Sequence, residues 1–518
     1  MGELRDCVVL REFTIGRDPR EMADSLMMLL GDPQAGKTQV VGFGVYIWNV
    51  TQTCALVRLL RCLRPALKIV LGGPEVSHEL EGQEIVVLAD HVVTGWGDIT
   101  FPKLCRALLF GPQPLMKVVA GEQPPLEQLQ LPYAEYSEAD LAHRVLYVEA
   151  SRGCPFKCEF CLSSLDKTAW AFDLERFLAA LDGLYQRGAR TFKFVDRTFN
   201  LKIDASLRIL QFFLDRLPSG GQARHASTLF VHFEVIPDHL PDRLKEMIAR
   251  FPAGVLQFEV GIQTFNVDVQ RRISRKQDNT QTVANLHWLV SSCKAHLHTD
   301  LIFGLPGEDL QSFARGFDQL YALRPHEIQL GLLKRLRGTP IARHSAEHGM
   351  VFDSEPPYAV RATGVVGALE VQRFVRLARY WDLIANSGRF KRSLLLLLEP
   401  YSTSASERGD AASEGETVEW SPFRAWLYFS DWLWATSGLT SGLTPEMLVN
   451  HLFDYLCGRR SMDEAACLRV LLADYLESGA RARPRALRGV LPRQVPPARQ
   501  TARVLAARQG HHHTANQV

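Results

Sequence analysis

Between Leu146 and Lys334 the chain repeats one pattern six times: a short run rich in β-branched and aromatic residues, then a stretch with apolar residues three and four apart. The runs are LYVEA, TFKFVD, LFVHFEVI, LQFEVGIQ, HTDLIFGLP and IQLGLLK. The stretches between them include LERFLAALDGLY, LRILQFFLDRL, DRLKEMIARF, TQTVANLHWLVSSCK and LQSFARGFDQLYAL. Strands joined through helices pair in parallel, with right-handed crossovers. Six such units predict an open, partial (β/α)6 barrel over residues 146–338, whose working face is the C-terminal end of its strands.

A second series precedes it. CVVLREFTI, VVGFGVYIW and KIVLGG read as strands, and VVTGWGD leads into a helix around FPKLCRALLF. PREMADSLMMLL and TCALVRLLRCLR read as helices, the first announced by Asp18, Pro19 and Glu21. The fold class is therefore α/β, with a doubly wound N-terminal domain over residues 1–110 and a Pro- and Gln-rich linker over 111–145. Residues 339–479 change to helical patterns, among them VVGALEVQRFVRLARYWDLIANSG, SPFRAWLYFSDWLWATSG and TPEMLVNHLFDYLCG. The polar insert at 402–418 reads as flexible, and the Arg- and Pro-rich tail at 480–518 as a weakly ordered solvated end. The aromatics between Trp426 and Trp434 read as core packing.

Composition narrows the function classes. A net charge of +2 over 518 residues argues against general nucleic-acid affinity. The longest apolar run, Ser393 to Leu398, is far short of the roughly 20 residues that cross a bilayer. MGELRDCVVLREF has no secretory pattern, and ten cysteines without one predict a reducing cytoplasm. GDPQAGKT, Gly31 to Thr38, matches a phosphate-loop pattern, but a helix precedes it and a strand follows, the reverse of what phosphate binding needs. It reads as a connecting loop.

The strongest chemical signal is SRGCPFKCEFCLSS, in the loop after the first barrel strand. It places Cys154, Cys158 and Cys161 together with no fourth Cys or His nearby, so a closed tetrahedral zinc site is disfavoured. Three thiolates suit a 4Fe-4S cluster with one iron left open, able to chelate S-adenosylmethionine. Gly153 and Pro155 favour a tight turn around it, and Phe160 adds an apolar cover. The remaining seven cysteines read as buried apolar side chains.

At this point the sequence resembles the radical SAM superfamily. VDRTFN, HFEVIPD, VGIQTFN and HTDLIFGLPGED look like strand ends that hold S-adenosylmethionine in the branch containing coproporphyrinogen oxidases and methylthiotransferases. The resemblance implies Arg197, Asn200, Glu234, Gln263 and Asp300 as contacts to it. A doubly wound module ahead of such a barrel is similar to the cobalamin-binding radical SAM enzymes, whose corrin sits between sheet edge and barrel. GFGVYIWN, LGGPEVS and VVTGWGD then supply Gly44, Tyr46, Trp48, Gly72, Gly73 and Gly95 as corrin-facing residues. No D-x-H-x-x-G occurs, so no histidine from that motif is expected on cobalt. Trp96 stands where the family often has Glu, and against this resemblance the chain reads as starting partway through the first strand unit, with its first strand expected to be missing. The tail resembles the helical C-terminal domain of one subgroup.

The resemblance implies reductive cleavage of S-adenosylmethionine to a 5'-deoxyadenosyl radical, with methyl transfer from cobalamin to an unactivated carbon of a small-molecule or peptide substrate. It also implies an electron donor such as flavodoxin or ferredoxin. Two alternatives stay open: a cobalamin-free radical SAM enzyme resembling the tRNA methylthiotransferases, and a non-catalytic cluster- or cobalamin-binding sensor. No side chain is assigned as acid, base or nucleophile.

Overall fold

The protein is described from a computed structural model, which covers residues 2–492 except 33, 35, 167, 218–228, 401–419 and 481. The polar insert at 402–418 and most of the tail at 480–518 lie outside the described residues.

Helix α1 (Pro19–Leu30) begins where the sequence announces it, with the Asp18 carboxylate accepting the Arg20 N–H at 2.7 Å. Four parallel strands follow, β1 (Val40–Gly44), β2 (Lys68–Gly72), β3 (His91–Thr94) and β4 (Val118–Ala120), paired in chain order. Helices cover both faces. α1, α2 (Val50–Leu63) and α3 (Glu84–Leu88) pack on Ile69, Leu71 and Val92. α4 (Thr100–Phe110) brings Leu104 and Leu108 to Val70 and Val93 on the opposite face.

Two expectations are corrected here. CVVLREFTI forms no strand: residues 8–14 are unpaired, and Val9 and Leu10 are 70% and 78% exposed. An apolar run of this kind becomes a strand only where it finds a sheet edge to pair with, and the four-stranded sheet runs from β1 to β4 without it. Residues 111–145 are more than a linker. They contribute β4 to the sheet and the short helix α5 (Glu138–His143), and Tyr133 and Leu141 enter the barrel core.

The barrel opens with β5 (Leu146–Val148). A two-residue ribbon, β6 (Ser151–Arg152) against β7 (Trp170–Ala171), brackets the cysteine loop. The series continues with α6 (Leu174–Gln186), β8 (Thr191–Phe194), α7 (Ile203–Leu214), β9 (Phe230–Val235), α8 (Asp242–Ala249) and β10 (Leu256–Gln263). It closes with α9 (Val267–Arg272), α10 (Asn279–Ser292), β11 (His296–Phe303), α11 (Leu310–Ala322) and β12 (Glu327–Leu332). β5 and β8–β12 form one parallel six-stranded sheet in chain order. Asp173, Asp278 and Asp309 cap α6, α10 and α11 through the N–H groups of Arg176, Gln281 and Ser312.

The strand periodicity sorts side chains onto two faces. Along β11, Leu297, Thr299, Leu301 and Phe303 are buried, while His296, His298 and Asp300 alternate with them. The lumen of the half-barrel is thus polar, and its outer face carries the hydrophobic core.

That core does not end at residue 339. Helices α12 (Ala368–Trp381), α13 (Lys391–Leu398), α14 (Pro422–Ser437), α15 (Pro445–Asp454) and α16 (Glu464–Glu477) share one apolar cluster with the barrel. Phe374 stacks on Phe303 at 4.1 Å between ring centroids, and Trp381 meets Phe317 edge-on at 5.0 Å. Trp426 and Phe429 are fully buried, as expected of core aromatics, whereas Tyr428 and Trp434 face outward. Just after α12, Asn386 pairs with the barrel's edge strand: its Oδ1 accepts the Ile328 N–H at 3.0 Å and its Nδ2 donates to the Ile328 carbonyl at 3.1 Å. No described helix is long and apolar enough to cross a membrane.

Candidate functional site

A cavity of about 250 Å3 opens at the C-terminal ends of the barrel strands. Cys154, Cys158 and Cys161 line one side of it, and Arg197, Glu234, Glu259, Gln263, Arg275 and Asp300 line others. Five separately predicted strand-end and loop segments therefore converge.

The cysteine loop is held by its own backbone and by distant groups. Cys161 N–H donates to the Cys158 carbonyl at 3.1 Å, and Ser164 Oγ donates to both Cys158 and Cys161 carbonyls. Gly153, at φ 87°, is required: a Cβ there would lie 2.2 Å from the Thr168 carbonyl oxygen. Cys154 and Cys158 are buried, and burial pushes the Cys154 thiol up to about 11. Burial also raises Cys158, opposed by the Arg275 guanidinium, which lies 3.6 Å from its sulfur.

Glu159, between the second and third cysteines, is a residue the sequence reading missed. It is buried and accepts Ser274 Oγ at 2.6 Å and His344 Nε2 at 2.8 Å, and it pairs with Arg343. A carboxylate inside a cysteine loop is the signal that could have pointed to it, since a buried one needs partners. His344, Glu347 and His348 gather ligand atoms within 4.8 Å of one another, the spacing of a single-ion site. His344 Nε2 is already engaged by the Glu159 carboxylate at 2.8 Å, so one of that ring's two nitrogens has a partner. Among the described residues that set alone meets the single-ion spacing. The cysteine sulfurs are spread wider, as ligands to different irons of one cluster must be.

The expected strand-end residues fare differently. Arg197 Nη1 donates to Glu234 Oε1 at 2.9 Å, and both line the cavity. Burial pushes the Glu234 carboxyl up to about 7 against the pull of Arg197. Gln263 lines the cavity at φ 69°, and its Nε2 lies 2.5 Å from where a Cβ on Gly261 would sit, so Gly261 makes room for it. Asp300 lines the cavity floor, 3.1 Å from His298 Nε2. Burial raises its carboxyl, with His298 opposing. Asn200 is not brought into the cavity. It is fully buried, its Oδ1 accepting the Ile236 N–H at 2.7 Å and its Nδ2 donating to the Ile236 carbonyl at 2.9 Å. Its amide is consumed in fixing the β9 strand end, which removes it as a direct contact to a bound molecule.

Beneath these groups the lumen holds a charge network that sequence reading did not anticipate. Glu259 lies 3.1 Å from His232 Nε2 and 3.7 Å from Lys193 Nζ. Burial alone would raise its carboxyl, but His232, His298 and Lys193 outweigh it and hold it well below the carboxylate range. Burial likewise acts to lower His298, yet Asp300 and Glu327 push it up to about 10.

In the N-terminal domain, the C-terminal sheet edge faces the same end of the barrel. Trp96 Nε1 donates to Asp166 Oδ1 at 3.3 Å, and the Arg152 guanidinium lies 4.8 Å from the Trp96 ring centroid and 3.0 Å from Asp98. Farther round, Arg337 reaches Glu75 at 2.8 Å and Arg335 reaches Glu79 at 2.9 Å. Tyr46 and Trp48 stack on one another at 4.5 Å and are partly exposed. Gly95 leaves open space at this edge, whereas an added Cβ on Gly44 would touch the Tyr46 ring at 3.4 Å and one on Gly72 the Val93 carbonyl oxygen at 3.7 Å. Gly73 differs: a Cβ there would lie 2.5 Å from the Val45 carbonyl oxygen, so its smallness serves the fold itself. Of the seven cysteines expected to be buried, Cys105 and Cys467 are, while Cys7 and Cys62 are exposed.

An α/β module facing a parallel half-barrel with three thiols in its first loop defines a class of architecture, and the comparisons agree with it. The Radical SAM superfamily sequence model matches residues 148–320. The chain therefore carries a radical SAM domain. It is 36% identical over 206 residues to "Uncharacterized methyltransferase PH0819" of Pyrococcus horikoshii, covering 34% of this chain and 44% of that one. It is 23% identical to "Cobalamin-dependent radical SAM methyltransferase TokK" of Streptomyces tokunonensis over 61% of this chain and 48% of that one. The chain thus spans less than half the length of each of these relatives. In fold it is similar to the cobalamin-dependent S-adenosylmethionine radical enzyme OxsB, solved with aqua-cobalamin and S-adenosylmethionine bound. That match has TM-score 0.51 and 14% identity, covering 97% of this chain and 78% of that one.

Proposed function

We propose that the protein is a radical SAM enzyme that carries a 4Fe-4S cluster on Cys154, Cys158 and Cys161 and uses cobalamin for methyl transfer to an unactivated carbon. One observation carries this reading: three thiols, spread wider than single-ion ligands, share a cavity with paired charges able to hold a zwitterion. The cluster supplies, when bound, the electron that splits S-adenosylmethionine into methionine and a 5'-deoxyadenosyl radical.

The chain's own residues supply orientation. Arg197 offers a guanidinium to a carboxylate, and Glu234, poised near neutrality, accepts from an ammonium or hydroxyl. Gln263 adds a neutral donor and acceptor, and Asp300 a carboxyl on the floor. Arg275 braces Cys158 from the barrel side. In the second half, Gly95 leaves open space at the sheet edge facing the barrel, Gly44 and Gly72 keep that edge low, and Tyr46 and Trp48 add flat surface beside it. These features fit a broad planar ligand, and cobalamin there supplies a transferable methyl group. The substrate is proposed to be a small molecule or peptide, the setting a reducing cytoplasm, and the partner a one-electron donor.

The test is anaerobic reconstitution with iron and sulfide, with and without hydroxocobalamin, followed by dithionite reduction. Formation of 5'-deoxyadenosine by mass spectrometry supports the reading. A fully loaded cluster that forms none leaves a cluster-binding sensor as the better account.

A further inference from the structure

The segment after the last barrel strand carries two imidazoles and a carboxylate that stand apart from the cavity. His344, Glu347 and His348 gather ligand atoms within 4.8 Å of one another, and none of the three lines the cavity. Their own backbone holds them. The His348 N–H donates to the His344 carbonyl at 3.0 Å, so the two histidines sit one helical turn apart on the same side. The Met350 N–H donates to the Ser345 carbonyl at 2.9 Å, and the Gly364 N–H to the His348 carbonyl at 2.7 Å. Glu347 Oε1 lies 3.8 Å from His348 Nε2.

We propose that His344, Glu347 and His348 form a site for a single divalent cation, best matched by zinc and separate from the three cysteines. Two imidazoles and one carboxylate are a set that zinc accepts with water in the fourth place, and nitrogen donors favour it over magnesium or calcium. The contact between His344 Nε2 and Glu159 belongs to such a site. A ligating histidine characteristically gives its second ring N–H to a carboxylate, which fixes the tautomer and the direction of the ring. Glu159 fits that part: its side chain is 3% exposed, and it is itself held by Ser274 Oγ at 2.6 Å. With Nε2 given to Glu159, His344 keeps Nδ1 for the ion. The two nearby cations are directed elsewhere, Arg343 to Glu159 and Arg272 Nη1 to the Pro306 carbonyl at 3.3 Å. The ion is structural. Through His344 and Glu159 it braces the cysteine loop, whose backbone at Glu159 bonds Ile273 on one side and Ile341 on the other, each at 3.0 Å.

The experiment measures zinc and iron together in the full-length protein, reconstituted with iron and sulfide, exposed to micromolar zinc and passed through gel filtration. About one zinc ion per chain is expected in the wild type. His348→Ala and, separately, Glu347→Gln should lower bound zinc while leaving iron unchanged. Glu347 has a largely exposed side chain, so its replacement leaves the fold intact. Glu159→Gln should weaken zinc about tenfold or more in a chelator titration, as loss of an outer carboxylate does. Replacing Cys154, Cys158 and Cys161 together by Ala should remove the iron and keep the zinc. Cobalt(II) in place of zinc in that variant should show visible d–d bands without a thiolate charge-transfer band. A wild-type protein that retains no zinc overturns the site. So does zinc that survives the combined His348→Ala and Glu347→Gln changes, or zinc that leaves with the three cysteines.

Discussion

Glu159 and His344, 185 residues apart, meet at 2.8 Å between carboxylate and imidazole, and this contact ties the cysteine loop to the segment after the last barrel strand. The carboxylate is almost inaccessible, with its side chain 3% exposed. Glu159→Ala would leave the Ser274 hydroxyl and the His344 imidazole without their acceptor. The expected cost is about 3 kcal/mol in urea unfolding of the cluster-free protein. Glu159→Gln, which keeps an acceptor, should recover part of it. Equal stability of the alanine variant and the wild type would show that the loop does not depend on this tie.

The three cysteines should act as a set. Replacement of any one by Ala is expected to lower bound iron substantially and to abolish the EPR signal of the dithionite-reduced cluster. Cys105→Ala, at a buried site far along the sequence, should keep both.

Glu308 gives a pH dependence with a definite sign. It is buried, accepts from Thr264 Oγ1 at 2.6 Å and Ser312 Oγ at 3.2 Å, and its Oε2 finds no hydrogen-bond partner among the described residues. Burial pushes its carboxyl up to about 7. Because the folded state holds this proton more tightly than the unfolded state, where the group titrates near 4.3, stability should fall as pH rises from about 4.5 to 7. Glu308→Gln should flatten that part of a stability-against-pH curve, measured by denaturant midpoints. An unchanged slope would mean the carboxyl titrates normally.

Arg337 bridges the two halves by reaching Glu75, which is 4% exposed, and the Tyr358 hydroxyl. Arg337→Ala leaves the buried Glu75 carboxylate with the Tyr358 hydroxyl but without its ion-pair partner, at a cost of about 2 kcal/mol to the interface. Hydrogen exchange at residues 74–79 should quicken in the variant while the β9–β11 amides stay protected. Protection unchanged at 74–79 would show that other contacts suffice to hold the N-terminal domain.

Gly73→Ala and Gly95→Ala should separate fold from ligand binding. Both glycines have positive φ, 105° and 68°. An alanine at Gly73 also collides with the Val45 backbone, so it should destabilise the N-terminal domain by about 2 kcal/mol or more, whatever is bound. An alanine at Gly95 meets open space and should cost about 1 kcal/mol. Its larger effect is expected on cobalamin retention through gel filtration. The reverse ranking in thermal unfolding would contradict the geometry.

Much of this was readable in the sequence because its cues are local. Period-2 and 3-to-4 spacing located all six barrel strands, and Asp18 marked the start of α1. The cysteine spacing located the site. What escaped was set by partners distant in sequence. Nothing local distinguishes CVVLREFTI, left exposed, from a strand that finds a sheet. Asn200 carries the right chemistry at a strand end, yet its amide turns to the backbone of Ile236. The lumen network from Glu259 through His298 to Glu327 is written across three strands, so each residue looks like an isolated polar position. The helices α13 and α16 are short or weakly amphipathic, and only their packing on each other and on the neighbouring helices reveals them.

The pairing of Asn386 with Ile328 has a consequence for the free side of the barrel's last strand. A half-barrel leaves β12 with one free side, and free strand sides invite pairing with another chain. Asn386 offers an amide oxygen and an amide nitrogen to the same residue's N–H and C=O, as one rung of a seventh strand would. A single side chain therefore stands in for a neighbouring strand and closes that side to intruders. That rung on β12 is filled by a residue that belongs to the helical region.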